Sequence, residues 1–370
     1  MNSSLTPTTH ALLLYCRAGF EKECAAEISA FAHRDGQAGY AKTSDGSGFV
    51  VFHPHETSAR VSGAGGIAFD QLIFARQLIQ SASLTGPLPP EDRITPLLEQ
   101  ALSVARRFSG ILLETADTNE AKALSTFTRK LAVPLRRAAE GRNLIAGGSQ
   151  LPRLHLFFLS ATEAYVGLSL EDNGSPWPMG IPRLKFPRGA PSRSTLKLEE
   201  ALLTFLERAP EALQPGMTAV DLGAAPGGWT WQLVRRHLRV TAVDNGPIQA
   251  ELLDSGLVEH RRTDAFRFRP AKPVDWMVCD VVEQPIRIAQ LVARWLAEGW
   301  CRHCIFNLKL PMKKRRDEVL RCQELIATTL EDAGCPYRLR IKQLYHDREE
   351  VTGYLQRLPE PGTRSTKRRG

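Results

Sequence analysis

The chain of 370 residues lacks any apolar run long enough to cross a bilayer. The apolar stretch near its start, Ala11-Leu-Leu-Leu-Tyr15, is short and has no basic flank. Neither a signal peptide nor a membrane helix is therefore expected, and the cytoplasm is the expected compartment. Cysteine is sparse as well: there are 7, at positions 16, 24, 279, 301, 304, 322 and 335. An odd count without a repeating spacing excludes a disulfide framework and points to reduced thiols. There is one Cys-x-x-Cys pair, Cys301-Arg-His-Cys304. It falls on or just before an expected strand and has no second pair at zinc spacing, so no metal site is expected. No internal repeat is present.

What is there suits a packed, multidomain protein. Hydrophobic residues make up 43% of the chain, enough for ordinary cores, and the length suits two or three domains. The formal charge is +8 and the isoelectric point about 9.2. A positive balance favours a polyanionic partner, because Lys and Arg beside phosphates release condensed counterions.

The first part of the chain reads as small α+β units. Ala11–Cys16 is strand-like, and Phe20, Cys24, Ala25 and Ile28 recur at helical spacing. Gly46–Phe52 reads as a strand. A second unit follows, with Phe69–Phe74 strand-like, Ile94–Ala105 helical, Ser109–Thr115 a strand and Ser125–Arg137 a basic helix. Arg153–Leu159 and Ala164–Ser169 read as a hairpin. Residues 172–191 are rich in Gly and Pro and read as a linker, with Arg183, Lys185, Arg188 and Arg193 in or just beyond it. From about residue 192 strands and helices alternate, which implies a mostly parallel sheet covered on both faces.

The informative run is Asp221-Leu-Gly-Ala-Ala-Pro-Gly-Gly-Trp229, between an expected strand and an expected helix. Doubly wound folds bind nucleotides there. Glycines in such a turn let the backbone approach a ligand. The spacing is not Gly-x-Gly-x-x-Gly, so a dinucleotide fingerprint is not met. Asp244 ends the next expected strand, where an acid can accept both ribose hydroxyls of an adenosine. Asp264 ends the third, where an acid commonly meets the adenine amine. Acids at successive strand ends beside a glycine turn favour S-adenosylmethionine over an NAD-type ligand.

The loop resembles the first motif of the FtsJ-like ribose 2′-O-methyltransferases. In that family a Lys-Asp-Lys-Glu set surrounds the reacting hydroxyl. The resemblance assigns those parts to Lys197 in Ser192-Arg-Ser-Thr-Leu-Lys197, Asp280 in Val278-Cys-Asp280, Lys309 in Phe306-Asn-Leu-Lys309, and Glu350, with Glu349 adjacent. It further implies cofactor contacts from Ser192, Ala225, Pro226, Gly227, Gly228, Trp229, Asp244, Asp264 and Asp280. It covers nearly the whole chain, with Gly180–Pro187 and Ser192–Ala201 matching family members that carry an N-terminal extension. The implied α/β fold is a C-terminal Rossmann-like methyltransferase sheet preceded by small α+β and THUMP-like domains. The expected boundaries are 1–62 for a ferredoxin-like α+β unit, 63–171 for a THUMP-like RNA-binding domain and 172–191 for the linker. Residues 192–361 form the methyltransferase domain and 362–370 a basic tail. The implied substrate is a cytidine ribose in the peptidyl-transferase region of 23S rRNA, free or in a precursor large-subunit particle. A monomer is expected.

The residue types suit that chemistry. A ribose 2′-hydroxyl is a weak acid and must lose its proton as the methyl arrives. Lys309 is the candidate base, and it can serve only when neutral. Burial and a second cation, supplied by Lys197, would favour the neutral form, while Asp280 and Glu350 would oppose it. A methyltransferase acting on a base amine would carry Asn-Pro-Pro-Tyr or Asp-Pro-Pro-Tyr after the fourth strand. Here the run is Asp280-Val-Val-Glu-Gln-Pro285. A pyrimidine C5 enzyme needs a nucleophilic cysteine, usually in Pro-Cys, and Cys279 reads as a buried strand residue. A non-catalytic RNA-binding protein with a relict fold would be expected to have lost one of the four polar residues. The N-terminal units carry no catalytic set and are expected to dock RNA, with Arg129, Lys130, Arg136 and Arg137 as the candidate surface.

Overall fold

A computed structural model describes residues 11–55, 67–148, 150–207 and 209–359. The expected basic tail from Gly362 lies outside the described residues. The chain divides into two compact units, Met1–Pro182 and Arg183–Gly370.

The first unit contains β1 (Ala11–Tyr15), α1 (Glu21–Arg34), β2 (Gly39–Lys42), β3 (Phe49–Pro54) and β4 (Gln77–Thr85). It continues with α2 (Ile94–Val104), β5 (Gly110–Thr115), α3 (Ser125–Gly141), β6 (Arg153–Phe158) and β7 (Ala164–Ser169). Among the described residues these strands form one sheet in the order β2-β3-β1-β4-β7-β6-β5. Every residue of β1 is buried, and both its edges are paired, to β3 and to β4. Cys24, Ile28 and Ala32 on α1, four residues apart, are fully buried, as the helical spacing requires.

The two α+β parts of this unit are joined edge to edge in one sheet. Strand β4 is hydrogen-bonded to β1 on one side and to β7 on the other, so both halves of this unit share one continuous ladder. The stretch Phe69–Phe74 is not a strand. It forms a tight turn at Phe69–Gln71. The N–H groups of Ile73 and Phe74 donate instead to the buried Glu27 carboxylate, at 2.7 and 3.0 Å. A carboxylate that takes two backbone donors leaves none for a ladder.

The segment after β7 is fastened to the same sheet. Gln77 bonds the backbone of Ser175 both ways, at 3.0 Å each. Buried Glu114 accepts from Tyr15 Oη at 2.7 Å and from the Met179 N–H. His155 joins Glu114 to Ser169, at 2.7 Å on each ring nitrogen. A side chain at Gly180, whose φ is +67°, would run into the Arg76 carbonyl. The Gly- and Pro-rich composition there encodes a tight path, anchored at buried Ser175, Ile181 and Pro182.

The second unit contains α4 (Thr195–Leu206), β8 (Thr218–Leu222), α5 (Gly228–Val234), β9 (Arg239–Val243), α6 (Ala250–Asp254) and β10 (Val258–Arg261). It ends with β11 (Val274–Cys279), α7 (Pro285–Ala297), β12 (Cys301–Lys309), α8 (Arg315–Asp332), β13 (Tyr337–Lys342) and β14 (Glu350–Arg357). The sheet order is β10-β9-β8-β11-β12-β14-β13. Strands β8 to β12 pair in parallel, and β14 closes antiparallel between β12 and β13. One core joins Leu198, Phe205 and Leu233 from the helices to Trp276, Val278, Ile305 and Tyr354 from the sheet. From β8 the chain winds outward to β10, then returns to β11 on the other side of β8. That reversal opens a crevice beyond the carboxyl ends of β8 and β11, where such sheets bind ligands.

Candidate functional site

The glycine turn lies at this reversal. Asp221 is fully buried near the end of β8 and accepts from Thr230 Oγ1 on α5 at 2.6 Å. Its other oxygen, Oδ1, is buried without a hydrogen-bond partner. Burial, with Asp280 and Asp244 nearby, pushes its pKa up to about 7. Gly223 sits at φ +78°, and a Cβ there would come within 2.8 Å of the Val281 side chain. A Cβ on Gly228 would strike the hydroxyls of Ser192 and Ser194, which bond each other at 2.7 Å. Trp229 Nε1 donates to the Ser194 carbonyl at 3.0 Å, and Gln232 Nε2 to that of Thr195 at 3.1 Å. These bonds join α5 to the start of α4.

Asp244 follows β9. Its Oδ2 accepts from the Ala225 N–H at 3.0 Å and its Oδ1 from the Gly246 N–H at 2.7 Å. Each carboxylate oxygen keeps a lone pair for a further donor. Asp264 is exposed in the turn after β10, where its Oδ1 accepts from the N–H groups of Phe266 and Arg267 at 2.8 and 3.2 Å.

Lys197, Asp280, Lys309 and Glu350 come together on one side of this crevice. Lys197 Nζ bonds Glu350 Oε1 and lies 3.6 Å from Asp280 Oδ1. Lys309 Nζ lies 3.8 Å from the second Glu350 oxygen, Oε2. Burial alone would lower the Lys197 pKa, but the charges of Asp280 and Glu350 outweigh it and the net shift is upward. Lys197 is thus a fixed cation. Asp280 is shifted upward by burial, against the opposing charge of Lys197.

Sheet register accounts for this convergence. Lys309 on β12 and Glu350 on β14 are direct partners in the antiparallel ladder, and Asn307 and Thr352 are the next pair on that face. Glu349 points the other way: its side chain is largely exposed and pairs with Arg315 at 3.0 Å. Glu350 is therefore the residue that faces both lysines. Helix α4 is fastened to the β13–β14 connection by buried Glu200, which accepts the N–H groups of Tyr345 and His346 at 2.8 and 2.9 Å.

Three polar residues here stand outside the Lys-Asp-Lys-Glu set. Asn307 Nδ2 donates to Asp280 Oδ1 at 2.9 Å. Thr352 Oγ1 lies 2.8 Å from Asn307 Oδ1, and Asp347 lies beyond it. An Asn amid the apolar run Cys304-Ile-Phe-Asn-Leu308, two residues before Lys309, was the available signal. Cys301 and Cys304 are buried on β12 three residues apart, so they face opposite sides of the sheet and cannot share an ion. Arg183, Lys185, Arg188 and Arg193 are exposed in the second unit, and Arg129, Lys130, Arg136 and Arg137 are exposed on α3 in the first.

Three family models match the chain. Residues 9–79 match the RlmM ferredoxin-like domain, and residues 92–170 the N-terminal domain of ribosomal RNA large subunit methyltransferase M. Residues 190–322 match the FtsJ-like methyltransferases. A ribosomal RNA large subunit methyltransferase M from Methylococcus capsulatus is 60% identical over 346 residues, covering 94% of this chain and 98% of its own. Proteins of the same name from Azoarcus sp. and Cellvibrio japonicus are 52% and 51% identical, each over 93% of this chain and 95% and 98% of theirs. The N-terminal half thus matches a ferredoxin-like domain followed by the N-terminal domain of these methyltransferases, which overturns the THUMP-like expectation.

The reversed parallel sheet, the turn after β8 and the FtsJ-like match define an S-adenosylmethionine-dependent methyltransferase. Its cofactor is S-adenosylmethionine, and the turn suits it: side chains are excluded at Gly223 and Gly228, and Asp221 presents an unpartnered oxygen. The chain belongs to the ribosomal RNA large subunit methyltransferase M family.

Proposed function

We propose that the chain transfers a methyl group from S-adenosylmethionine to the 2′-hydroxyl of a cytidine ribose in the peptidyl-transferase region of 23S rRNA. The observation that carries this reading is the Glu350 carboxylate bridging Lys197 and Lys309 at the carboxyl end of the sheet. Two lysines set among two carboxylates there suit an acceptor oxygen that must be gripped and deprotonated, rather than a planar base. The cytoplasm, where ribosomal RNA is assembled, is the compartment this reading implies.

The turn from Ala225 to Trp229, with Ser192, Asp244, Asp264 and Asp280, would hold the cofactor. When bound, the cofactor supplies a methyl on a sulfonium centre, which is its own activated leaving group. The remaining work is alignment and proton removal. Lys309, as the neutral amine, takes the hydroxyl proton on Nζ; Glu350 orients that nitrogen and stabilises the ammonium ion that forms, and Lys197 stays charged to steady the oxygen as it becomes negative. Asp280 orients Lys197. Proximity supplies up to roughly 7–11 kcal/mol of such a barrier.

Labelled methyl transfer to 23S rRNA from cells lacking this gene is the test. Label at one ribose 2′-oxygen is the expected result. Label on a base atom would overturn it.

A further inference from the structure

Behind the charged cluster lies a hydrogen-bonded chain with too few protons to be satisfied in its ordinary ionisation state. Asn307 Nδ2 faces Asp280 Oδ1 at 2.9 Å, and the amide cannot be turned over without setting its oxygen against a carboxylate. Asn307 Oδ1 therefore faces Thr352 Oγ1, at 2.8 Å, and needs a donor there. The Thr352 hydroxyl also lies 2.9 Å from both oxygens of Asp347. A hydroxyl has one proton to give. If Thr352 gave it to an Asp347 carboxylate, the Asn307 oxygen, on a residue only 1% exposed, would be left without a donor.

We propose that Asp347 carries a proton in the folded enzyme and, by donating it to Thr352, fixes the Asn307 amide so that its Nδ2 faces Asp280. In that arrangement Asp347 Oδ1–H donates to Thr352 Oγ1, Thr352 donates to Asn307 Oδ1, and Asn307 donates to Asp280. The other Asp347 oxygen, Oδ2, accepts the Leu344 N–H at 3.0 Å. Each buried donor along the chain then has an acceptor. Asp347 is completely buried, and burial, reinforced by Glu200 and Glu350, raises its pKa well above the usual carboxylate range. It touches neither Lys197 nor Lys309 by hydrogen bond and acts through Thr352 and Asn307. It is a positioning residue, a neutral carboxylic acid placed behind a charged one.

The kinetic part of this inference rests on the proposed methyl transfer; the protonation state does not. Infrared difference spectroscopy of the full chain, wild type against D347N, separates the two. It is run above the pKa of Asp221, which is about 7. A protonated-carboxyl band present in wild type and missing from D347N is the expected result. Its absence from wild type would overturn the proposal, whatever the enzyme's substrate. In kinetics, Asn at 347 can still donate to Thr352, so D347N should keep kcat within about threefold, whereas D347V and T352V lose about tenfold with cofactor affinity preserved. T352S should recover most of the T352V loss. D347N falling as far as D347V would mean that Asp347 acts as an ionised acceptor, and would also overturn the proposal.

Discussion

Lys309 and Glu350 stand directly opposite each other in the ladder between β12 and β14, with Asn307 and Thr352 one pleat behind on the same face. The register that closes the sheet therefore also assembles the proposed base with its orienting carboxylate. A slip of one residue would turn this whole face away from the crevice.

Lys309→Ala is expected to bind S-adenosylmethionine as wild type does. It should lose methyl transfer by on the order of 10²–10⁴, the usual contribution of a positioned base. Calorimetry with the cofactor and labelled transfer to rRNA measure the two separately. Transfer at the wild-type rate would remove Lys309 as the base.

Glu350 and Glu349 give a paired control. Glu350→Gln removes the charge that orients both lysines, and kcat should drop by about tenfold or more. Glu349→Gln disturbs a pair with Arg315 that is open to solvent on the Glu349 side only. Glu349 faces away from the lysines, so stability should fall by about 1 kcal/mol and kcat should change very little. Equal losses of kcat in the two variants would contradict the assignment.

Gly228→Ala should damage the cofactor turn, because the new methyl would meet the Ser192 and Ser194 hydroxyls. The start of α4 must then separate from α5, at a cost of about 1–3 kcal/mol. Weaker cofactor binding and a lower unfolding midpoint should appear together. Normal affinity in a normally stable variant would show that this approach is not required.

The buried Asp221 makes stability depend on pH. Its folded-state pKa is about 7, above the ordinary Asp value. An unfolded chain therefore gives up this proton first as pH rises. Stability from this group is full below about pH 4 and is lost as pH climbs to about 7. Asp221→Asn removes the titration, so its stability profile should be flatter across that window and its stability above pH 7 higher. Denaturant midpoints taken through the range measure this, and parallel profiles would count against a raised pKa at Asp221.

The segment 183–370, expressed alone, should retain cofactor affinity, because every residue of the cofactor turn and charged cluster lies within it. It should methylate rRNA far more slowly, having lost the exposed cations Arg129, Lys130, Arg136 and Arg137 on α3. A full rate on rRNA would mean that the first unit takes no part in docking.

The doubly wound sheet and its glycine turn were legible in the sequence, because alternating periodicities and short-range backbone needs are written locally. The identities of Lys197, Asp280, Lys309 and Glu350 were legible only through a known pattern, since each alone resembles a solvated surface residue. Tertiary structure decided the rest. It joined β4 to both β1 and β7, so that the two α+β parts share one sheet. It sent the Ile73 and Phe74 N–H groups to Glu27, a partner 46 and 47 positions away in the chain. It chose Glu350 over Glu349 by strand register and joined Asp280, Asn307, Thr352 and Asp347 into one chain of bonds. Short-range pattern fixes which elements form. Which buried polar groups must satisfy one another depends on contacts between distant segments, and these exist only once the chain has folded.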